Sequence, residues 1–241
     1  MPLLYVKDAG TWRTTKVLYV KASGTWQPAK AVYVKSAGTW QQVYPDTATS
    51  VTYTSAGTYS YTVPYGITSV TIQGVGGGGG SAYSGNNRTE ANAGGGGGGG
   101  FSGTVTVFPQ QVISVTVGSS GTWFHDDSSG SSGAGSAGGN TTISTSGVVT
   151  FTITCYGGGG GTCYSGASPG SGVAGVGGSY SLSGLASGGL TGTTGPSSQS
   201  SYYNGGAGAL YPTYSLDYGR GGGRSTNNAQ AGYVSIVPVT V

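Results

Sequence analysis

Polar and apolar residues alternate along the first 44 positions in a block that occurs three times. The blocks are YVKDAGTW from Tyr5, YVKASGTW from Tyr19 and YVKSAGTW from Tyr33, which gives a period of 14 residues. Alternation with a period of two is typical of a β-strand, and the glycine before Thr-Trp marks a turn. Each block therefore predicts a β-hairpin, with a three-residue turn that ends in glycine and a return strand that begins Thr-Trp.

A shared apolar centre would stabilise the three hairpins, because a lone hairpin is marginal in water. The residues at equivalent positions of the repeat that we expect to line this centre are Leu4, Leu18, Val32, Val6, Val20 and Val34. The sequence leaves two roles open for the three repeat tryptophans. They either fill the core of this small domain or anchor it to a partner with threefold symmetry.

The pattern after the repeat predicts a second domain built from further strands. Pro45 lies in a small, polar stretch that marks the boundary, so we expect domains at residues 1–45 and 46–241. The predicted strands are Val51–Thr54, Thr58–Val63, Thr68–Gly74, Gly103–Phe108, Gln111–Val117, Thr141–Ser144, Val148–Tyr156 and Gly232–Val241. No segment shows the periodicity of an amphipathic helix.

Long glycine runs interrupt these strands at Gly76–Gly80, Gly94–Gly100 and Gly157–Gly161. The chain has 52 glycines in 241 residues, far above the usual share of roughly 7%. A disordered linker is one interpretation. The runs are instead clamped between strands, and glycine can form three-residue extended helices that pack as closely as collagen chains. We predict an all-β fold, in which the pseudo-threefold hairpin repeat precedes a glycine-rich domain that mixes β-strands with packed polyglycine II helices, without significant α-helix.

Charge is sparse and uneven along the chain. Charged residues are 6% of the total and aromatic ones 11%, a balance that favours a folded protein over a disordered one. Residues 1–45 hold six Lys or Arg and one Asp, a net +5, whereas residues 46–241 hold three Arg and five acidic residues, a net −2. The asymmetry indicates two parts with different partners. We do not expect nucleic acid to be one of them, because the lysines recur with the repeat.

Membrane and secretion signals are not predicted. No apolar stretch reaches 18 residues, so we expect no membrane insertion. The charge at Lys7 leaves no room for a signal peptide, and we expect synthesis in the cytoplasm of the producing cell.

Chemistry-bearing motifs do not support an enzyme, and we expect no catalytic residues, cofactor or metal. No Lys follows Lys35, so the glycine runs cannot form a Walker phosphate loop. His125 with the two acids that follow it forms either a cation site or, as we expect, a solvated loop. Cys155 and Cys163 form either a disulfide or two packed thiols.

Segments between the strands are rich in tyrosine flanked by Ser, Gly and Asn, a composition typical of binding loops. The alternative is that these rings cover the edges of the glycine array. The aromatic residues that we expect to contact a receptor are Tyr83, Trp123, Phe124, Tyr164, Tyr202, Tyr203, Tyr211, Tyr214 and Tyr218.

The stretches Ser55–Gly80, Gly138–Ser144 and Ala231–Val237 resemble the glycine-rich domain of bacteriophage tail-fibre adhesins. In the distal adhesins of T-even-like phages, an N-terminal segment caps the trimeric long tail fibre and a polyglycine domain displays receptor-binding loops. The order of the two parts is the same here. The resemblance implies a virion protein at the fibre tip, whose partners are a trimeric tail-fibre or tail-tip protein and a host outer-surface glycan or outer-membrane protein.

Mapping the hairpin repeat onto fibre docking gives the attachment residues Trp12, Trp26, Trp40, Tyr5, Tyr19 and Tyr33. A structural tail protein or fibre-assembly factor without receptor contact is the alternative. An antifreeze-like or coat protein is a third class, which the docking repeat disfavours.

Overall fold

The computed structural model describes residues 5–8, 10–14, 19–29, 32–44, 49–64, 66–86, 89–126, 131–164, 172–184 and 229–239. Every regular element in these ranges is a β-strand, as the sequence predicted. In the same ranges no helix is long and apolar enough to cross a membrane.

In chain order the strands are β1 (Tyr5–Asp8), β2 (Thr11–Thr14), β3 (Tyr19–Ala22), β4 (Thr25–Pro28), β5 (Val32–Ser36), β6 (Thr39–Tyr44), β7 (Val51–Tyr53), β8 (Gly57–Thr62), β9 (Ser69–Val75), β10 (Ala82–Asn86), β11 (Thr89–Ala93), β12 (Gly100–Thr106), β13 (Val112–Val117), β14 (Phe124–Asp126), β15 (Gly133–Ala134), β16 (Thr141–Thr145), β17 (Phe151–Cys155), β18 (Thr162–Cys163), β19 (Gly172–Val173), β20 (Tyr180–Gly184) and β21 (Tyr233–Pro238).

Each block of the N-terminal repeat forms a hairpin: β1 with β2, β3 with β4, and β5 with β6. The predicted three-residue turn is wrong. Ala22 pairs with Thr25, so only two residues turn, and both Ser23 (φ 49°) and Gly24 (φ 84°) are left-handed. This is a type I′ turn, whose twist matches that of the strands and which requires positive φ at both central residues. The third hairpin has the same two-residue geometry.

Most of the expected apolar centre of the hairpins is not tested, because Leu4, Leu18 and the side chains of Val6 and Val34 lie outside the described part of the chain. The hairpins are three separate two-stranded sheets, and Val20 is exposed. Trp26 and Trp40 are 66% and 64% exposed, which contradicts the alternative that these two tryptophans fill a core. The sequence pattern of the repeat does not distinguish isolated hairpins from hairpins that pack against one another, because both have the same alternation of polar and apolar residues.

Two antiparallel sheets pack face to face in the second part of the chain. The four-stranded sheet has the order β12-β9-β21-β7 and the five-stranded sheet the order β20-β17-β16-β13-β8. Alternate residues of both sheets point inward and are buried, as in Ile72 and Ile236 of the first sheet and Ile143 and Ile153 of the second. The result is a β-sandwich with one hydrophobic core.

Glycine-rich segments connect this sandwich to two small sheets, β11-β10-β14 and β15-β18-β19. Within the described chain, segments 76–80, 118–123 and 156–161 leave the sandwich strands β9, β13 and β17, and segments 94–99, 135–140 and 174–179 return to β12, β16 and β20. Residues 229–232 also enter the sandwich, at β21. We call these seven segments the glycine array, and the end with the small sheets the distal end.

Backbone hydrogen bonds within the glycine array follow a period of three residues. The amides of Gly76 and Gly79 donate to carbonyls of segment 94–99, those of Gly77 and Gly80 donate to segment 135–140, and that of Gly78 donates to Gln230 in the last segment, each at 2.9 Å. Three residues per turn is the repeat of the polyglycine II helix, which has no internal hydrogen bonds. Here its amides donate to neighbouring segments of the same chain. The prediction of packed polyglycine II segments is confirmed.

The array requires glycine because its backbones touch. A Cβ built on Gly77 would overlap the carbonyl of Ser119, and one on Gly80 would overlap the carbonyl of Thr122, in both cases inside the 3.0 Å that real Cβ atoms keep. Six residues of such a helix extend about 19 Å. The array is therefore a short rod held by main-chain contacts.

The chain enters and leaves the sandwich at the end remote from the array. Val51 pairs with Ile236, whereas Val234 lies opposite Gly74, beside the start of the first glycine segment. The amide of Val239 donates to the carbonyl of Ser69, at the same remote end. The connection from the hairpin repeat and the distal end therefore lie on opposite sides of the sandwich.

Candidate functional site

The distal end is built from strands that the sequence did not predict. The sequence predicted no strand between Gly74 and Gly103 or between Val117 and Thr141, but β10 and β11 form a hairpin there and β14 lies parallel to β10. The amide of Phe124 donates to the carbonyl of Ser81 where two glycine segments end side by side. The glycine array holds these segments side by side, so that they pair as strands. Their Gly, Ser and Asn content is unusual for strands, which is why the sequence did not predict them.

Three aromatic rings stack on the exposed face of this sheet. Tyr83 lies directly opposite His125 in the register, with ring centroids 5.0 Å apart and planes 19° apart. The Trp123 ring also contacts this imidazole, in a tilted arrangement with centroids 4.4 Å apart and planes 34° apart. We call Tyr83, Trp123 and His125 the distal aromatic cluster. Trp123 remains 37% exposed, so the cluster can present a flat ring to a ligand.

A hydroxyl pair fixes the backbone beneath Trp123. The amide of Thr122 donates to Oγ of Ser136 at 2.8 Å, and the two side-chain oxygens are 3.0 Å apart. The amide of Ser136 donates back to the carbonyl of Thr122 at 2.8 Å. These bonds join two glycine segments and hold the backbone of Trp123 in place. A ligand that binds the tryptophan therefore costs less conformational entropy.

Phe124 points to the opposite side of the strand from the cluster. Its ring packs against Ala82 and Cys163 in a second small hydrophobic cluster and is half-buried. Phe124 therefore does not belong to the distal aromatic cluster, and its expected contact with a receptor stays a prediction. Trp123 and His125 share a face two residues apart, and the residue between them must face inward.

His125 lies in β14 and contacts Tyr83 and Trp123, so the expectation that it belongs to a loop is wrong. The Asp126 carboxylate accepts a hydrogen bond of 3.0 Å from the amide of Ser131, which links the end of β14 to the start of the next described segment. Among the residues with described positions, no group of three His, Cys, Asp or Glu side chains is arranged to hold a metal. Asp127 lies outside the described residues.

The hairpin repeat presents a second surface. Lys21 lies opposite Trp26, and Lys35 lies opposite Trp40 with its Nζ 5.8 Å from the indole centroid. Tyr19 and Tyr33 are also exposed, at 53% and 52%. Each Tyr is two residues from its Lys, so Tyr, Lys and Trp share one face. In the first hairpin Lys7 pairs with Trp12 in the same register, but the side chains of Tyr5 and Trp12 lie outside the described part.

A family model for a glycine-rich domain matches residues 54–235. The chain belongs to this glycine-rich domain family. The match begins after β7 and ends within β21, so the glycine-rich domain comprises the glycine array, the distal end and nearly all of the sandwich. No curated protein matches the chain.

Both cysteines of the glycine-rich domain are free and buried, which overturns the disulfide alternative. The Cys155 thiol donates to the carbonyl of Gly74 in the sandwich, and the Cys163 thiol donates to the carbonyl of Gly133 at the distal end, both at 3.4 Å. Eight steps of extended backbone separate them by about 25 Å, whereas a disulfide needs Cα atoms about 6 Å apart. Burial raises the pKa of the Cys155 thiol to about 12, and burial also raises the pKa of Cys163.

The remaining expected contact residues fall into two groups. Tyr164 follows β18 at the distal end and is 50% exposed. Five tyrosines lie outside the described residues: Tyr202, Tyr203, Tyr211, Tyr214 and Tyr218. Sequence reasoning missed His125 as a partner of Tyr83 and Trp123. The alternation of Trp123 and His125 was a signal that both side chains share one face of a strand.

Proposed function

We propose that this protein is a phage tail-fibre tip adhesin. The hairpin repeat docks on a trimeric fibre or tail-tip protein, and the distal end of the glycine-rich domain binds a host outer-surface glycan or outer-membrane protein. The protein acts by binding, not by catalysis, in the assembled virion.

The observation that carries the proposal is the separation between the distal aromatic cluster and the point where the chain from the hairpin repeat enters the sandwich. The hairpin repeat joins the sandwich at β7, at the end remote from the array, while the distal aromatic cluster lies beyond the far end of the array. An adhesin needs attachment at one end and an exposed recognition surface at the other. The rod of about 19 Å between sandwich and distal sheets fixes the direction of that surface without a flexible linker.

The composition of the two surfaces supports the same division of roles. Trp26 and Trp40, with Tyr19 and Tyr33, are exposed in equivalent hairpins, and Trp and Tyr dominate the hot spots of protein interfaces. Three equivalent hairpins can engage three equivalent subunits. Linked sites of this kind gain affinity over a single site without any new contact.

The test separates the two surfaces by matched aromatic substitutions. The labelled full chain is incubated with envelope fractions from a panel of bacteria, alongside the W123S variant and the double variant W26S/W40S. We expect binding to one or more envelopes, a large loss for Trp123→Ser, and retention by the hairpin variant. Circular dichroism checks that all three proteins are folded.

A second arm tests attachment on particles. Phage that carry Trp26→Ser and Trp40→Ser should shed the protein, whereas phage that carry Trp123→Ser should retain it and fail to adsorb. If adsorption persists with the distal variant and no envelope is bound, the protein has a structural role in the tail and the adhesin proposal fails.

A further inference from the structure

The outer face of the five-stranded sheet carries two rows of hydroxyl side chains that have no part in the surfaces described above. Each row takes one Ser or Thr from each of the five strands, and each member lies directly opposite its neighbours in the antiparallel register. The first row is Thr58, Thr116, Thr142, Thr154 and Ser181, and the second is Ser60, Ser114, Ser144, Thr152 and Ser183. All are exposed or half-buried. We call these ten residues the hydroxyl grid.

The spacing of the hydroxyl grid follows from sheet geometry. Adjacent members of a row are about 4.8 Å apart, and the two rows are about 6.7 Å apart along the strands. Four strand-to-strand steps give a row length of about 19 Å. Every position offers a group that can both donate and accept a hydrogen bond.

Rigid packing underlies this surface. The residues between the two rows point inward. Val115, Ile143 and Ile153 are fully buried in the sandwich core, and Tyr59 and Leu182 at the two ends of this inner row are half-buried. The hydroxyls therefore stand on a fixed backbone, and a ligand that bonds several of them pays little ordering entropy. The alternation gives one sheet an inner row that is apolar at its centre and two outer rows of hydroxyl groups.

One aromatic ring extends the first row. The Tyr156 hydroxyl lies 3.3 Å from Oγ of Ser181, the last member of that row, and the Tyr156 ring is 39% exposed. Tyr156 follows β17 directly, at the array side of the sheet. The grid thus has an uncharged polar floor and a single flat apolar ring at one end.

We infer that the hydroxyl grid binds a neutral, linear polysaccharide that lies across the five strands, with one sugar ring stacked on Tyr156. A neutral glycan offers the same alternating donors and acceptors as the grid and brings no charge that would go unpaired. The rows are separated by about the width of a sugar ring. The site is distinct from the distal aromatic cluster, and the inference stands whether or not the protein acts at a fibre tip.

The twist of the sheet favours a chain-like ligand over a planar one. Adjacent strands rotate by roughly 20–25° relative to each other, so the grid turns progressively from Thr58 to Ser181. A polysaccharide can follow this turn because it rotates at each linkage, whereas a planar ice lattice cannot. A protein partner fits less well, because the cores of protein interfaces are apolar and aromatic and the grid offers only Tyr156.

The test is affinity electrophoresis of the full chain in native gels that contain dextran, galactomannan or soluble β-glucan, with dextran sulfate as the charged comparison. We expect at least one neutral polymer to retard the protein. The double variant T142K/S144K places two charged side chains at the centre of the grid and should need about tenfold more polymer for the same retardation. The matched control Thr106→Lys, on an exposed position of the other sheet, should change retardation less than about twofold.

Two further variants separate binding from folding. Thr142→Val removes one hydroxyl and keeps the side-chain shape, and Tyr156→Ser removes the ring; both should weaken retardation while the thermal unfolding midpoint stays within a few degrees. The inference is overturned if no neutral polymer retards the protein, if only dextran sulfate does, or if the Lys double variant is retarded as strongly as the unaltered chain. The inference would also be overturned if the protein were incorporated into growing ice and the Lys double variant were not. That result would assign the hydroxyl grid a role in ordering water.

Discussion

Two neighbouring glycines of segment 156–161 differ in the space available for a Cβ atom, and comparing them tests the packing of the array directly. A Cβ on Gly158 would overlap the carbonyl of Gly96 and lie 2.8 Å from the oxygen of Gly97, all of it backbone. A Cβ on Gly159 would meet nothing closer than the Val176 nitrogen at 3.1 Å. We expect Gly158→Ala to destabilise the protein strongly and Gly159→Ala to have little effect.

The magnitude follows from the contacts of Gly158. Overpacking a tight site costs about 1–3 kcal/mol. The segment must also move away from its neighbours, which endangers the bond from the Gly158 amide to Gly77 and the bond that Gly158 accepts from Gly138, both 2.9 Å. A buried backbone group left unpaired costs about 1–3 kcal/mol, and the stiffer unfolded chain offsets about 0.4–1 kcal/mol. The net loss is about 1–5.5 kcal/mol for one broken bond, against less than about 1 kcal/mol for Gly159→Ala.

Urea unfolding followed by tryptophan fluorescence and circular dichroism measures the difference. With m near 2 kcal/mol per molar urea, a loss of about 3 kcal/mol lowers the midpoint by about 1.5 M. The two variants change the same residue type one position apart, so propensity and composition are matched. Equal midpoints for both would refute the packed array, because a loose glycine tether tolerates either methyl group.

Four other outcomes follow from the same structure. Cys155 and Cys163 should resist thiol reagents in the native protein and react in denaturant, and rapid labelling of the native protein would contradict their burial. Non-reducing gels should show no disulfide. Because the folded pKa of Cys155 is raised to about 12 from 9.0, stability should be fully present below pH 9 and fall as pH rises towards 12, measured by urea midpoints. Tyr61 carries a buried hydroxyl with no partner among the described residues, so Tyr61→Phe should leave stability unchanged or raise it by about 1 kcal/mol, and a clear loss would show a missed bond. W26S/W40S should leave the main unfolding transition unchanged, since both rings are exposed; a lower melting temperature would show that they pack against the rest of the chain.

Strand patterns in the sandwich were readable because each strand has one buried face. The predicted strand Thr68–Gly74 became Ser69–Val75, and Gln111–Val117 became Val112–Val117. Alternate residues such as Val70 and Ile72 are buried there. A half-buried strand carries the alternation of its two faces in its own side chains, so these predicted strands agree with the structure to within about three residues. The edge strand β20 (Tyr180–Gly184) of the five-stranded sheet was not predicted.

The distal strands were not readable for the opposite reason. β10 and β14 pair in parallel because segments 76–80 and 118–123 end side by side. The two strands are separated by about 40 residues in the sequence, so no local pattern predicts their pairing. Side chains of β10, such as Tyr83 between Ala82 and Ser84, carry a weak pattern. The cluster of Tyr83 with His125 therefore appears only once the array has aligned the two strands.

By itself, the sequence determined the three hairpins, the strands of the sandwich except β20, and the presence of a backbone-packed glycine core, because repeats, alternation and runs without side chains are local properties. The tertiary structure decided which glycine segments are neighbours, which aromatic rings meet and which hydroxyls line up across five strands. Glycine segments bond through identical main-chain groups, so no side chain specifies the partner, and the sheets at either end fix the arrangement instead.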